Sequence, residues 1–124
     1  MKLYKTLFTP VEFLEDFGYD LHSMVVQGGF KTKELAVQSW CDEAALSINN
    51  LIVRNRGLEF SRNIYTVDNA EILNTLKWAQ LYEMLFIVEN GNIQLSAEVK
   101  QELKLHSADA INLLYANGIL INGF

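Results

Sequence analysis

The chain has 124 residues, half of them apolar and a fifth charged, with one proline and one cysteine; this is the composition of one ordinary folded domain that buries roughly two-thirds of its unfolded surface, not of a disordered segment or a pair of domains. A net charge of −5 argues against sequence-independent nucleic-acid binding, which draws most of its affinity from a basic surface. A lone cysteine makes no internal disulfide and no four-cysteine zinc site, no apolar run approaches the ~20 residues that span a bilayer, and the N-terminal lysines have no long apolar stretch behind them, so the expected setting is a reducing cytosol.

Thr9-Pro10-Val11-Glu12 is a helix start: Thr9 can cap, Pro10 suits the first helical position and Glu12 completes a capping box. Val11, Phe13, Leu14 and Phe17 follow, and Gly18 stops the helix. Positions 19–30, with the chain's one glycine doublet at Gly28-Gly29, have no clear period and are expected to be a loop. Thr32 begins a long second helix. Leu35, Val37, Trp40, Cys41, Ala44, Ala45, Ile48, Leu51 and Ile52 recur at helical spacing, Arg54 and Arg56 complement the dipole at its end, and Gly57 stops it. Positions 58–67 are rich in β-branched and aromatic residues and read as an extended arm or hairpin edge that projects from the body.

Asp68-Asn69-Ala70-Glu71 predicts a second capping box with Asp68 as the cap. The third helix carries Ile72, Leu73, Leu76, Ala79, Tyr82, Leu85 and Phe86 and ends at Asn90-Gly91. Its last turns, Met84-Leu85-Phe86-Ile87-Val88, are apolar all round, which predicts burial on more than one side. Ser96 begins a one-turn helix. Ser107 caps a better one, with Asp109 in its first turn and Asn117-Gly118 at its end. The expected architecture is an all-α small helical bundle over 1–124, a single helical domain. Two long antiparallel helices carry two or three short ones, a projecting loop at 58–67 and an extended, docking C-terminal tail at 119–124.

Few residues suggest chemistry. His22 and His106 lie in different segments near Asp20 and Asp109, without the HExxH or Cys/His spacing of a metal site. Cys41 sits on an apolar helix face beside Asp42 and Glu43, the setting of a core cysteine rather than a nucleophile. Glu12, Glu15, Asp16 and Asp20 make an acidic N-terminal cluster, either a solvated face or a docking patch for a basic partner. No phosphate loop or serine elbow is present. No catalytic, metal-binding or cofactor-binding residue is assigned. Arg54, Arg56 and Arg62 are the one basic concentration, either helix-end and loop arginines or a contact patch, and Trp78, off the main apolar stripe, is a candidate contact residue; together they are a candidate secondary interface. The apolar ending Ile119-Leu120-Ile121-Asn122-Gly123-Phe124 is unusual for a terminus, which is commonly polar. Either it folds back over the core, or Ile119, Leu120, Ile121 and Phe124 dock on another chain, adding a strand to its sheet edge.

The order of segments carries a resemblance. A short Thr-Pro-led helix precedes a long helix ending Arg54-Asn55-Arg56-Gly57. A variable arm follows, then Leu76-Lys77-Trp78-Ala79-Gln80-Leu81-Tyr82-Glu83-Met84-Leu85 closing at Glu89-Asn90-Gly91. Ser107-Ala108-Asp109-Ala110-Ile111-Asn112-Leu113-Leu114 then leads to Asn117-Gly118-Ile119-Leu120. From Thr9 onward this resembles the small head-tail connector proteins of tailed bacteriophages, also called adaptor or head-completion proteins; the motifs are loose and mostly structural, and the 19–30 and 58–67 segments depart from it where that family varies. The resemblance implies a helical bundle without catalysis or cofactor. It implies a ring of identical subunits, commonly twelvefold, under the portal protein in the virion. Such a ring extends the DNA channel, lets DNA pass without sequence-specific binding, docks the stopper or tail protein and grips the portal with its own tail segment. No membrane is involved, and assembly takes place in the host cytoplasm. The alternative is a small acidic regulatory or inhibitor protein that binds a host factor through the N-terminal acidic cluster. A helical DNA-binding regulator and an enzyme have less support, the first for want of a basic recognition helix and the second for want of a nucleophile, base and orienter.

Overall fold

A computed structural model of the chain describes residue 7, residues 31–89 and residues 106–121. Four helices and no strand form among them. These are α1 (Lys33–Arg56), α2 (Leu58–Ile64), α3 (Ala70–Glu89) and α4 (Ala108–Ala116). The predicted helix at Thr9, the 19–30 loop, the turn at Ser96, His22, the acidic cluster and Phe124 lie outside the described residues.

The signals that bound α1 act as expected. The Thr32 hydroxyl accepts from the Leu35 N–H at 3.2 Å, and Gly57, at φ 97° and ψ 163°, occupies a region essentially restricted to glycine. Val37, Cys41, Ala44, Ala45, Ile48 and Ile52 are buried. Leu35 is not: it is 55% exposed, and Ala36 is buried in its place. The core face is centred on the 37–41–44–48–52 row, and Leu35 lies on the far side of the first turn.

Asn69, not Asp68, caps α3. Its Oδ1 accepts from the N–H groups of Glu71 and Ile72 at 3.0 and 3.2 Å, so the chain turns into the helix one residue later than the capping-box spacing suggests. The pairing of core residues sets the sense of the two long helices. Val37, Cys41 and Ala44 from the first half of α1 pack with Leu81, Met84, Leu85 and Val88 from the second half of α3. Ile48 and Ile52 pack with Leu76 and Ala79 from its first half. The helices are therefore antiparallel. Leu81, Met84, Leu85 and Val88 are buried along one face of α3, Gln80 and Glu83 extend that buried arc, and Phe86 and Ile87 of the apolar run are only partly buried.

Positions 58–67 do not project as an arm. Residues 58–64 form α2, and Ser61, Ile64 and Tyr65 are buried against α1 and α3. β-branched and aromatic content marks a segment that suits a half-buried surface, and tertiary packing decides its backbone state. Phe60, Ser61, Ile64 and Tyr65 recur at helical spacing on one face, and the Ser61 hydroxyl donates to the buried Asn49 carbonyl of α1. Gly57 supplies the turn between the two helices.

The last helix, α4, packs on α3. The Ser107 hydroxyl accepts from the Ala110 N–H at 3.2 Å, Ala110 and Leu114 point into the core, and Gly118, at φ 73°, reverses the chain. Ile119 and Leu120 then fold back into the same core as Ile48, Ile52 and Leu76.

Candidate functional site

Two polar constructions stand out, one at each end of α4. At its start, three side chains from distant parts of the chain meet. Glu83 of α3 is 1% exposed. Its Oε2 lies 2.8 Å from the Ser47 hydroxyl of α1 and 2.8 Å from the His106 Nδ1, and its Oε1 accepts from the Ser107 N–H at 2.8 Å. Ser47 Oγ and His106 Nδ1 are themselves 2.9 Å apart.

A serine, a histidine and a carboxylate in contact invite comparison with a nucleophilic relay, and the geometry differs from one. In a relay the serine meets the basic ring nitrogen, and the carboxylate holds the other. Here both Ser47 and Glu83 meet Nδ1. The 2.8 Å contact between Oε2 and Nδ1 requires a proton between them. With that proton assigned to Nδ1, the lone pair of a neutral ring resides on Nε2, away from the serine. Glu83 is thus an acceptor hub: it takes hydrogen bonds from α1, from the ring of His106 and from the backbone that opens α4. Nothing in the sequence around Glu83 announces this, because its partners are 36 and 23 residues away. The one signal is a carboxylate within the otherwise apolar and aromatic stretch 81–88 of α3.

At the other end of α4, side chains from α1 hold the outgoing chain. The Asn55 amide bonds the Ile121 main chain in both directions, donating to its carbonyl at 2.9 Å and accepting from its N–H at 2.8 Å. The Arg56 guanidinium stacks over the Phe60 ring, 3.9 Å from its centroid, and donates to the carbonyls of Gly118 and Ile119 at 3.0 and 3.3 Å. The N–H groups of Ile119 and Leu120 bond the Leu114 carbonyl at 2.9 and 3.2 Å.

This overturns part of the expected tail interface. Ile119 and Leu120 are 2% and 4% exposed and belong to the chain's own core. The main-chain groups that strand addition would use at 119 and 121 are already bonded within the chain. Ile119 and Leu120 cover Ile48, Ile52 and Leu114, as in the fold-back alternative. Ile121 is the exception, at 45% exposure.

The secondary interface residues divide. Arg56 is engaged with the 118–119 carbonyls, so it serves the fold. Arg54 and Arg62 are exposed on the surface. Trp78 is 39% exposed, and its ring lies 6.2 Å from that of Tyr82. Trp40 and Tyr82 pack partly buried against the core, as their positions predict.

Cys41 is buried, with its Sγ 3.8 Å from the Met84 sulfur. Burial, reinforced by the neighbouring Asp42 charge, pushes its thiol up to about 12, the opposite of an activated nucleophile. Tyr65 is also pushed up to about 12 by burial, with the nearby Gln80 amide opposing. The Tyr65 hydroxyl has no hydrogen-bond partner within normal geometry among the described residues. The Gln80 Oε1 accepts from the Leu7 N–H at 3.1 Å. Among the described residues no group of three or more His, Cys, Asp or Glu side chains is placed to hold a metal ion, and no helix is long and apolar enough to cross a membrane.

Comparison of the chain with family models, with curated proteins and with solved structures returned no match.

Proposed function

We propose that this chain is a non-enzymatic head-tail connector of a tailed bacteriophage: a helical adaptor that assembles as a ring under the portal, extends the DNA channel and docks the stopper or tail. The observation that carries the reading is where the residues behind the resemblance lie. The Arg-Asn-Arg-Gly ending of α1, the 76–85 part of α3 and the stretch from Ser107 to Leu120 pack into one unit. Their characteristic residues serve shape. Gly57 and Gly118 take positive φ, Ser107 caps α4, and Asn55 and Arg56 hold the 118–121 chain. A pattern whose polar residues are occupied in holding helices together suits a scaffold that presents surfaces.

In this role the negative balance of the chain disfavours adhesion to passing DNA, and no sequence-specific contact is required. The protein works at the head-tail interface of the virion and assembles in the host cytoplasm. Portal contact falls to side chains that remain outside the core, Ile121 and Trp78 first among them, because Ile119 and Leu120 are occupied in the fold. The test is co-purification with the portal ring encoded in the same genome, read by native mass spectrometry. One copy per portal subunit is the expected result. A folded chain that leaves the portal bare contradicts the reading and favours a small acidic regulatory protein.

A further inference from the structure

Of the three Asn-Gly dipeptides in the chain, Asn117-Gly118 is the one within the described residues. An asparagine followed by glycine carries its own reaction. The glycine backbone nitrogen attacks the asparagine Cγ and gives up its proton, the side-chain Nδ2 leaves as ammonia, and a five-membered imide closes. Water then opens the imide at either carbonyl, leaving an aspartate or an isoaspartate. The reaction needs only water, which reaches both exposed residues, and the freedom to close the ring. The fold withholds that freedom. Asn117 ends α4 at φ −103° and ψ 11°. At this ψ the Gly118 nitrogen nearly eclipses the Asn117 nitrogen and points away from Cβ, out of reach of Cγ. Both reacting groups are also tied: Asn117 Nδ2 donates to the Leu113 carbonyl at 2.9 Å, and the Gly118 N–H to the Tyr115 carbonyl at 3.1 Å.

Turning ψ of Asn117 toward ring closure carries the whole following chain with it, and that chain is held. Arg56 grips the carbonyls of Gly118 and Ile119, the Leu114 carbonyl takes the N–H groups of Ile119 and Leu120, both of these side chains are buried, and Asn55 clasps the Ile121 main chain. We propose that Asn117-Gly118 is a self-modification site, kept closed by the folded ending, whose conversion releases that ending irreversibly. An aspartate at 117 loses the donor to the Leu113 carbonyl and sets a negative charge at the negative end of the α4 dipole. An isoaspartate adds a methylene to the main chain at the point where Gly118, at φ 73°, turns Ile119 back toward Leu114. Either product weakens the fold-back, and Ile119 and Leu120 pass from core to exposed apolar surface, the kind that marks a binding site. The site stands whether or not the chain is a connector.

The test is to hold the full chain at mildly alkaline pH and to follow aspartate and isoaspartate at 117 by peptide mapping with mass spectrometry. Three samples are compared: the native wild type, the wild type unfolded in urea, and native Asn55→Ala, which opens the clasp on Ile121. Conversion in the native wild type should be about tenfold slower or more than in the unfolded chain, because the population of the opened state sets the rate. Asn55→Ala should convert faster than the native wild type while its helical circular dichroism is kept. If that variant loses helix, the wild type in subdenaturing urea makes the same test: conversion at 117 should rise in step with amide exchange at Ile119, Leu120 and Ile121. Converted chains, separated by ion exchange, should have lost the exchange protection of those three residues. A native rate equal to the unfolded rate overturns the proposal. So does conversion that ignores both Asn55→Ala and the opening of the ending, or a converted chain that keeps its protection at 119–121.

Discussion

The two ends of the α1–α3 pair are built differently. At one end, Val37, Cys41 and Ala44 meet Leu81, Met84, Leu85 and Val88. Small residues on α1 face large ones on α3, with the Cys41 sulfur 3.8 Å from that of Met84. At the other end, the same helices gather α2, α4 and the 119–120 chain around Ile48, Ile52, Leu76 and Ala79. Every short element there is pinned by a polar side chain of a long helix. Asn49 holds Ser61, Asn55 and Arg56 hold 118–121, and Glu83 holds the start of α4. A long helix buries enough surface to be held by packing. A helix of seven or nine residues does not, since most helical stability in proteins comes from packing of an apolar face.

The contrast predicts which end breaks first. Deleting 119–124 removes Ile119 and Leu120 from the core. At about 1.5–3 kcal/mol for each buried aliphatic side chain, the loss is about 3–6 kcal/mol, seen as a large fall in Tm. A freely docking tail would leave Tm unchanged. Glu83→Ala removes the acceptor shared by three donors and is expected to cost about 3–5 kcal/mol, in the range found when one partner of a buried pair is removed. Chemical denaturation measures this, and His106→Ala, at the rim of the cluster, should cost less.

Gly57→Ala sharpens the comparison at the α1–α2 junction. No atom stands within 4 Å of an added Cβ, so the cost is conformational alone, about 1–3 kcal/mol for a backbone position of this kind. Gly118→Ala, in the milder left-handed region, should cost about 1–2 kcal/mol. The smallest expected effect is Tyr65→Phe. The hydroxyl it deletes is buried without a hydrogen-bond partner among the described residues, so stability should hold or rise slightly; a marked loss would reveal a partner for that hydroxyl.

The quiet end has its own test through pH. The Cys41 thiol is pushed up to about 12 in the fold. Its ordinary value applies when the chain unfolds, so the unfolded state ionises first. The stabilisation is fully present below the ordinary thiol range and is lost as pH rises through it toward 12. Cys41→Ser should remove that part of the alkaline decline in stability. Modification of Cys41 by a thiol reagent at neutral pH should be slow and should scale with the population of the opened state.

What the sequence disclosed follows the same division. The all-α class, the bounds of α1, the Ser107 cap and the core rows of α1 and α3 were legible, because periodicity and caps are local signals. The state of 58–67 was not. Its β-like composition could be overruled only by Asn49 and by the α1–α3 surface, which a short window does not contain. Glu83 was hidden for the same reason, its donors being brought in by the fold. The apolar ending was visible as an anomaly, but its own letters could not say whether a partner or the core would cover it. Asn55, an ordinary polar residue near a helix end, decides that at Ile121.

Amide hydrogen exchange at Ile119, Leu120 and Ile121 tests the account most directly. Protection of all three, at a level comparable with α4, is the predicted result, since their N–H groups are bonded to Leu114 and Asn55. Exchange at the rate of an unstructured chain would mean that the ending is loose from the body, and the assignment of portal contact away from Ile119 and Leu120 would be wrong.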